Sequence, residues 1–299
     1  MLGIRSASTS PGSVRLNLDN TAIVLDSTAD RPDVRDRPNW RVVPLYVRFG
    51  DDIFRDYVDM QPAEFYARLR ATTEQPRSSQ PSPGDFADAA AELDGYDRIL
   101  VLPISSGLSG TYESARAAAE ADPSQRLRVF DTRFVSGAIA LLAEAVQRRL
   151  ARGTDDEEIA QLVERFRREA RYVFTLETLE YLVRGGRAGR TAALAGTLMS
   201  VKPILEVAGG EIVPVRRVRG RARSLDELAR IFVSETEDDA SVRVGLVHAD
   251  AEQELDQLAA RVFEARPSVT LEFRGMFGPV LGTNAGPGAV AVCWFRDAG

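Results

Sequence analysis

The chain has 299 residues, a length that suits two domains better than one oversized core. A net charge of -6 opposes a general nucleic-acid binder, which needs a surplus of Lys and Arg to neutralise phosphates. One Cys and one His allow neither an internal disulfide nor a Cys/His zinc cluster, which points to a reducing compartment.

Residues 1–20 lack the apolar stretch of a secretory signal, and no later run reaches the roughly 18 apolar residues of a membrane span. They read as a flexible tail on a cytoplasmic protein with at most transient membrane contact. Positive charge is carried almost wholly by Arg, with Lys202 the sole Lys.

From residue 21 to about 150 short apolar runs alternate with helical patterns. Thr21 to Leu25, Val42 to Val47, Ile99 to Leu102 and Leu127 to Phe130 read as buried strands of a parallel sheet. Ile139, Leu142, Val146 and Leu150 mark one face of a helix that stops at Gly153. Thr154 and Glu157 form a capping box before Ile159, Leu162, Val163 and Phe166. The domain junction is expected near this second helix, dividing the chain into residues 21–165 and 166–299.

The second half opens with a strand-like YVFTLE, a helix-like TLEYLVRGG and the small-residue stretch RTAALAGTLMS. Gly209 and Gly210 split ILEVAGGEIVPV as a hairpin would. Ser224 and Glu227 suggest another capping box. A strand at Val242 to Val247, a helix at Ala251 to Ala265 and closing strands around Leu271 and Val290 complete a mixed α/β unit.

Candidate chemistry gathers at the ends of the first-half strands. Ser27 and Thr28, Ser105 and Ser106, and Thr132 each follow a strand, where an open parallel sheet builds its binding crevice. Ser109, Gly110 and Thr111 open the next helix, whose free N–H groups favour an anion. Any one of these hydroxyls also suits a helix cap, but three strand ends together favour a site.

Catalytic readings compete. GLSGT misses the nucleophile elbow at its fifth residue, and nothing brings His248 to Ser109 as a base. Asp26 in LDSTAD could serve a phosphotransferase with Asp30 as second acid. GGRAGR follows a helix rather than a strand, so it is a poor nucleotide loop. Arg216, Arg217, Arg219, Arg221 and Arg223 alternate, so a strand there would array a basic face for an acidic partner or a phosphate.

The succession LDSTAD, SSQPSPGDF, LPISSGLSGTYESA, VFDT, LEYLVRGGRAGR, KPIL and GPVLGTNAGPGA resembles the DegV family, in family order from residue 21 to the C-terminus. The resemblance implies a two-domain α/β fold. A Rossmann-like parallel sheet with flanking helices comes first, a mixed α/β domain follows, and a long-chain fatty acid lies between them. It implies a binding subunit without catalysis or cofactor of its own, presenting the acyl carboxylate to a separate ATP-using fatty acid kinase subunit that makes acyl-phosphate. Ser78 and Ser109 would hold the carboxylate, and Arg187 would support the head group and the encounter with the kinase. Apart from the resemblance, Arg217 and Arg219 of the alternating arginine run would offer further positive charge to such a partner. Asn284 stands where the family usually has a histidine, so this site carries no titrating imidazole there. The alternatives are a stand-alone phosphotransferase or hydrolase using Asp26 or Ser109, and a lipid-sensing regulatory protein using the Arg216 to Arg223 face.

Overall fold

The computed structural model describes residues 15–31, 34, 36–189, 191 and 201–298. The expected tail therefore lies mostly outside the described residues, as does all of RTAALAGTLMS except Thr191. Within residues 15–20, Leu16 is fully buried and its backbone pairs with Thr154, so the packed chain begins before residue 21.

The first sheet has the order β2-β1-β6-β7, from β1 (Thr21–Asp26), β2 (Trp40–Val43), β6 (Arg98–Leu102) and β7 (Leu127–Val129), all parallel. Alternation of side chains explains its two-sided burial. Ala22 and Val24 pack with Phe86 and Ala115 of the helices α2 (Pro83–Ala91) and α3 (Thr111–Ala121). Ile23 and Leu25 point the other way, into a core shared with the second half of the chain.

One expected strand is two. Pro44 interrupts Val42 to Val47, and the chain leaves the parallel sheet for β3 (Tyr46–Phe49). Strand β3 pairs antiparallel with β4 (Asp52–Arg55) and β5 (Arg77–Ser79) in a small separate sheet, with α1 (Pro62–Ala71) between them in sequence.

Helix α4 (Gly137–Arg152) is buried on nearly every side from Gly137 to Val146, not on one face alone, because it lies between the two larger sheets. Gly153 ends it with φ +80. In α5 (Asp156–Glu169) the cap is Asp155, whose side chain accepts from Glu158 N at 2.9 Å. Thr154 instead donates its hydroxyl to Glu158 Oε2, so the capping signal is shifted by one residue.

The larger sheet runs β10-β9-β8-β13-β11-β12, built from β8 (Arg171–Thr175), β9 (Val201–Ala208), β10 (Glu211–Arg219), β11 (Val242–His248), β12 (Thr270–Met276) and β13 (Val290–Arg296). Its outer face packs on α7 (Arg221–Glu235) and α8 (Glu252–Ala265). Two short helices, α6 (Glu180–Arg184) and α9 (Pro279–Ala285), sit on the inner side. Gly209 and Gly210 do turn the β9–β10 hairpin, with Ala208 opposite Glu211. Helix α7 starts earlier than its supposed capping box. Gly220 precedes it, Ser224 donates to Arg221 O, and Glu227 pairs with Arg230 and Arg216.

The chain is thus a two-domain α/β protein with a parallel sheet in its first half and a mixed sheet in its second. The proposed division at residues 165 and 166 cuts the last turn of α5, just before β8.

Candidate functional site

A cavity enclosing about 670 Å³, part of it open to solvent, lies where the parallel strands end and the second half of the chain covers them. Thr28 follows β1, Ile104, Leu108 and Ser109 follow β6, and Val135 follows β7. Opposite them stand Tyr172 and Phe174 of β8 and Val207 and Ile212 of the hairpin. Period-2 alternation puts both β8 aromatics on the inner face while Val173 points to the outer core. Helix α9 adds Val280, Leu281, Asn284 and Ala285.

The polar lining is held by separate sets of hydrogen bonds, one around Asn284 and one around Arg187 and Ser109. Asn284 Nδ2 donates to Ser78 Oγ at 3.1 Å and to Val280 O at 2.9 Å. Asn284 Oδ1 is buried without a hydrogen-bond partner. A Cβ built on Gly185 would lie 2.4 Å from that oxygen, so only glycine admits the amide so close. Arg187 donates Nε to Leu108 O at 3.2 Å and Nη1 to Gly185 O at 2.5 Å, tying α6 to the loop that carries Ser109. Ser109 Oγ lies 2.8 Å from Thr111 Oγ1 and accepts from Thr111 N.

Ser78, Ser109, Asn284, Arg187 and Thr28 therefore all line the cavity. Thr111 is fully buried behind Ser109 and steadies it. Ser27 and Ser106 are not in the cavity wall. Ser27 accepts from Leu45 N, and Ser106 donates to Asp131 Oδ2 at 2.6 Å. Ser105 donates to Gly210 O and Thr132 to Pro103 O, so these two hydroxyls hold loops together.

Arg217 and Arg219 are exposed on the edge strand β10, away from the cavity. The single basic face expected from residues 216–223 does not form. Arg217 and Arg219 share one face of β10, but Arg216 alternates to the other and pairs with Glu227, Gly220 (φ +86) ends the strand, and Arg221 opens α7 and is drawn inward to Gly288 O.

The catalytic readings find little support in this geometry. Asp26 is fully buried, and its oxygens accept from Thr28 N, Thr28 Oγ1 and Ile104 N. Burial holds its carboxyl above the usual range in spite of these donors. His248 accepts from Ala251 N through Nδ1, and burial pulls its imidazole below the ordinary value. Among the described residues no carboxylate or imidazole hydrogen-bonds Ser109, and no group of three or more His, Cys, Asp or Glu side chains is placed to hold a metal. Nor is any described helix long and apolar enough to cross a membrane.

Sequence reasoning did not find the apolar wall, since Leu45, Tyr172, Phe277 and Val280 come from elements far apart in the chain. It also missed a knot of buried acids behind α9. Asp30 Oδ1 accepts from Gly278 N at 3.0 Å, and Asp56 Oδ1 from Val280 N at 3.3 Å. Asp30 carried a signal in LDSTAD; Asp56 carried none.

Fold and site define a two-domain α/β protein with a largely apolar cavity, partly open to solvent, whose lining also carries hydroxyl, amide and guanidinium groups. The chain belongs to the DegV family: the family profile, described as an uncharacterised protein of the DegV family, matches residues 20–297. A fatty acid-binding protein of Thermotoga maritima is 34% identical over 277 residues, spanning 90% of this chain and 95% of that one. The structure of a fatty-acid-binding DegV family protein from Thermus thermophilus superposes with a TM-score of 0.87 at 33% identity, covering 93% of this chain and 99% of the other. DegV from Bacillus subtilis, described as a fatty acid binding protein, gives a TM-score of 0.81 at 30% identity, covering 92% and 98%.

Proposed function

We propose that this protein holds a long-chain fatty acid in the cavity and presents its carboxylate at the rim formed by Ser78, Ser109, Asn284 and Arg187. The observation that carries the reading is a single cavity with a mainly apolar wall whose lining also carries Ser78, Ser109, Asn284 and Arg187. Each methylene taken from water into the chamber contributes about 0.8 kcal/mol, so the chain supplies affinity. A carboxylate leaving water needs several donors, which hydroxyls and a guanidinium provide without a catalytic base, so the rim supplies orientation.

The finer reading is that the carboxylate is presented to a separate ATP-using kinase subunit, which phosphorylates it. Arg187 is half-buried at the rim and Arg217 and Arg219 are exposed, a distribution that suits guiding an acidic partner to the head group. The absence of any base hydrogen-bonded to Ser109 among the described residues favours binding over hydrolysis.

Native mass spectrometry of the purified protein tests the binding. A co-purifying mass of fatty-acid size, released on denaturation, is expected; a bound nucleotide instead would overturn the reading. ATP consumption by a family kinase subunit, dependent on the loaded protein, tests the presentation. Replacing Arg217 and Arg219 by Ala should slow association with that subunit and flatten its salt dependence.

A further inference from the structure

Helix α9 reaches the rim through Asn284, but its other end is held by acids from the first half of the chain. Asp30 and Asp56 are 4% and 1% exposed and take the backbone N–H groups of Gly278 and Val280. The segment before the helix is pinned nearby. Tyr66 OH donates to Phe277 O at 3.2 Å, and Phe277 N donates to His248 O at 2.7 Å.

Hydrogen counting shows that this knot is short of protons if both acids are ionised. Tyr57 OH lies 2.9 Å from Asp30 Oδ1 and 2.9 Å from Met276 O, two acceptors for one phenolic hydrogen. A carbonyl can only accept. The phenol therefore satisfies Met276 O fully only if Asp30 is a carboxylic acid, able to donate back to the phenol oxygen. Ser136 Oγ bonds the other Asp30 oxygen. Asp56 Oδ2 is buried with no hydrogen-bond partner, and among the described residues the Ser27 hydroxyl is the one neighbouring side-chain donor to this carboxyl, so ionisation would leave its charge poorly compensated. Among the described residues no guanidinium or ammonium bonds either acid. Arg31, next in the chain, pairs with Glu144, and Arg274, across a neighbouring surface pocket, pairs with Asp256.

We propose that Asp30 and Asp56 act as a proton-sensitive clamp that positions α9, closing the cavity and fixing Asn284 while the pair carries protons and loosening the helix when both are ionised. The proposal rests on reading the cavity as the fatty-acid site. Opening lets water reach the two carboxylates, so the open form favours ionisation and the closed form favours protons.

The other titratable groups that face the clamp are the acid Asp26, three phenols, a thiol and an imidazole, and all of them are kept in wild type and in every clamp variant. Burial lifts Asp30 to about 7 and Asp56 to about 8, the latter in spite of the neighbouring Ser27 hydroxyl and with the Asp30 charge adding to the rise. Asp26, at the end of β1, is also raised by burial. Burial pushes Tyr57, Tyr66 of α1 and Tyr172 of β8 well above the ordinary phenol value, and lifts the Cys293 thiol of β13. His248, lowered by burial, stays neutral.

The test compares wild type with Asp30→Asn, Asp56→Asn and the double variant between about pH 6 and pH 9, a range that brackets both acids. Asn keeps the accepting oxygen and donates in place of the acid proton, so it mimics the closed state. Affinity for cis-parinaric acid is compared between proteins at each pH, so that the ligand's own ionisation cancels. Wild-type affinity is expected to fall relative to the double variant as pH rises through the range of the two acids, by up to about tenfold per pH unit for each linked proton, and to level off once both acids are ionised in both forms. Hydrogen exchange at Gly278 and Val280 in the ligand-free protein should show protection lost over the same range in wild type and kept in the variants. Parallel affinity profiles and pH-independent protection would overturn the clamp. If cis-parinaric acid binds at no pH, the fatty-acid reading falls, and exchange decides the clamp alone. If the variants do not fold, the wild-type exchange profile decides it.

Discussion

Asn284 on α9 and Ser78 on β5 are 206 positions apart in the chain, yet Asn284 Nδ2 donates to Ser78 Oγ across the mouth of the cavity. The bond spends the Ser78 acceptor and leaves its hydroxyl hydrogen free to point at a ligand carboxylate. It also couples the small antiparallel sheet of the first half to a helix of the second.

Ser109→Ala should weaken fatty-acid binding by about 1 to 3 kcal/mol, the cost of losing a charge-assisted donor to a buried carboxylate. Ser78→Ala should cost a similar amount and additionally release Asn284. Isothermal titration measures both, and unchanged affinity in the pair would remove these hydroxyls from the head-group site.

Arg187→Ala should reduce acyl-phosphate formation with a kinase subunit more than it reduces binding. Its guanidinium is already committed to Leu108 O and Gly185 O, so one effect of the change is a looser Ser109 loop. Affinity and phosphorylation rate measured side by side separate the two roles. An undiminished phosphorylation rate would show that Arg187 takes no part in the encounter.

Asn284→His should add a pH-dependent gain that Asn cannot supply. An unperturbed imidazole titrates near about 6.5 and is pushed higher beside a carboxylate, so the variant should bind more tightly than wild type below about pH 7. The affinity ratio of the two proteins at several pH values checks this. A ratio that stays constant would place residue 284 out of reach of the carboxylate.

Stability should fall as pH rises from about 4 to 8. Asp30 and Asp56 have folded-state values raised to about 7 and about 8 from 3.8, so in this interval the folded protein keeps protons that the unfolded chain has released. Their contribution is complete below the unfolded value and is lost on passing through the folded values, with a limiting slope of about 1.4 kcal/mol per proton per pH unit. Asp297 acts in the opposite sense. Burial would raise it, but Arg149 and Arg148 hold it below the usual carboxylate range, so its contribution is lost only on acidification. Thermal melts should therefore peak on the acid side of neutrality, and the Asp30→Asn, Asp56→Asn variant should flatten the alkaline limb.

Much of the fold follows from local pattern. Thr21 to Leu25, Ile99 to Leu102 and Val242 to Val247 are apolar runs that can be satisfied only as buried strands, and Gly209 with Gly210 permits the positive φ values of +60 and +88 that the hairpin turn adopts. Family motifs named Ser78, Ser109, Arg187 and Asn284, all of which come to line one cavity. What the tertiary structure alone decided was which groups face that cavity and which are consumed elsewhere. Ser106 and Ser109 stand three residues apart in one loop, but Ser106 turns to Asp131 while Ser109 turns to the cavity. The one-face pattern of α4 concealed a helix covered on both sides, because periodicity reports the face that is most apolar and not how many sheets will lie against it. Asp56 and Val280 meet only when two halves of the chain close, and burial there, not residue type, turns an ordinary aspartate into a group that holds its proton near neutrality.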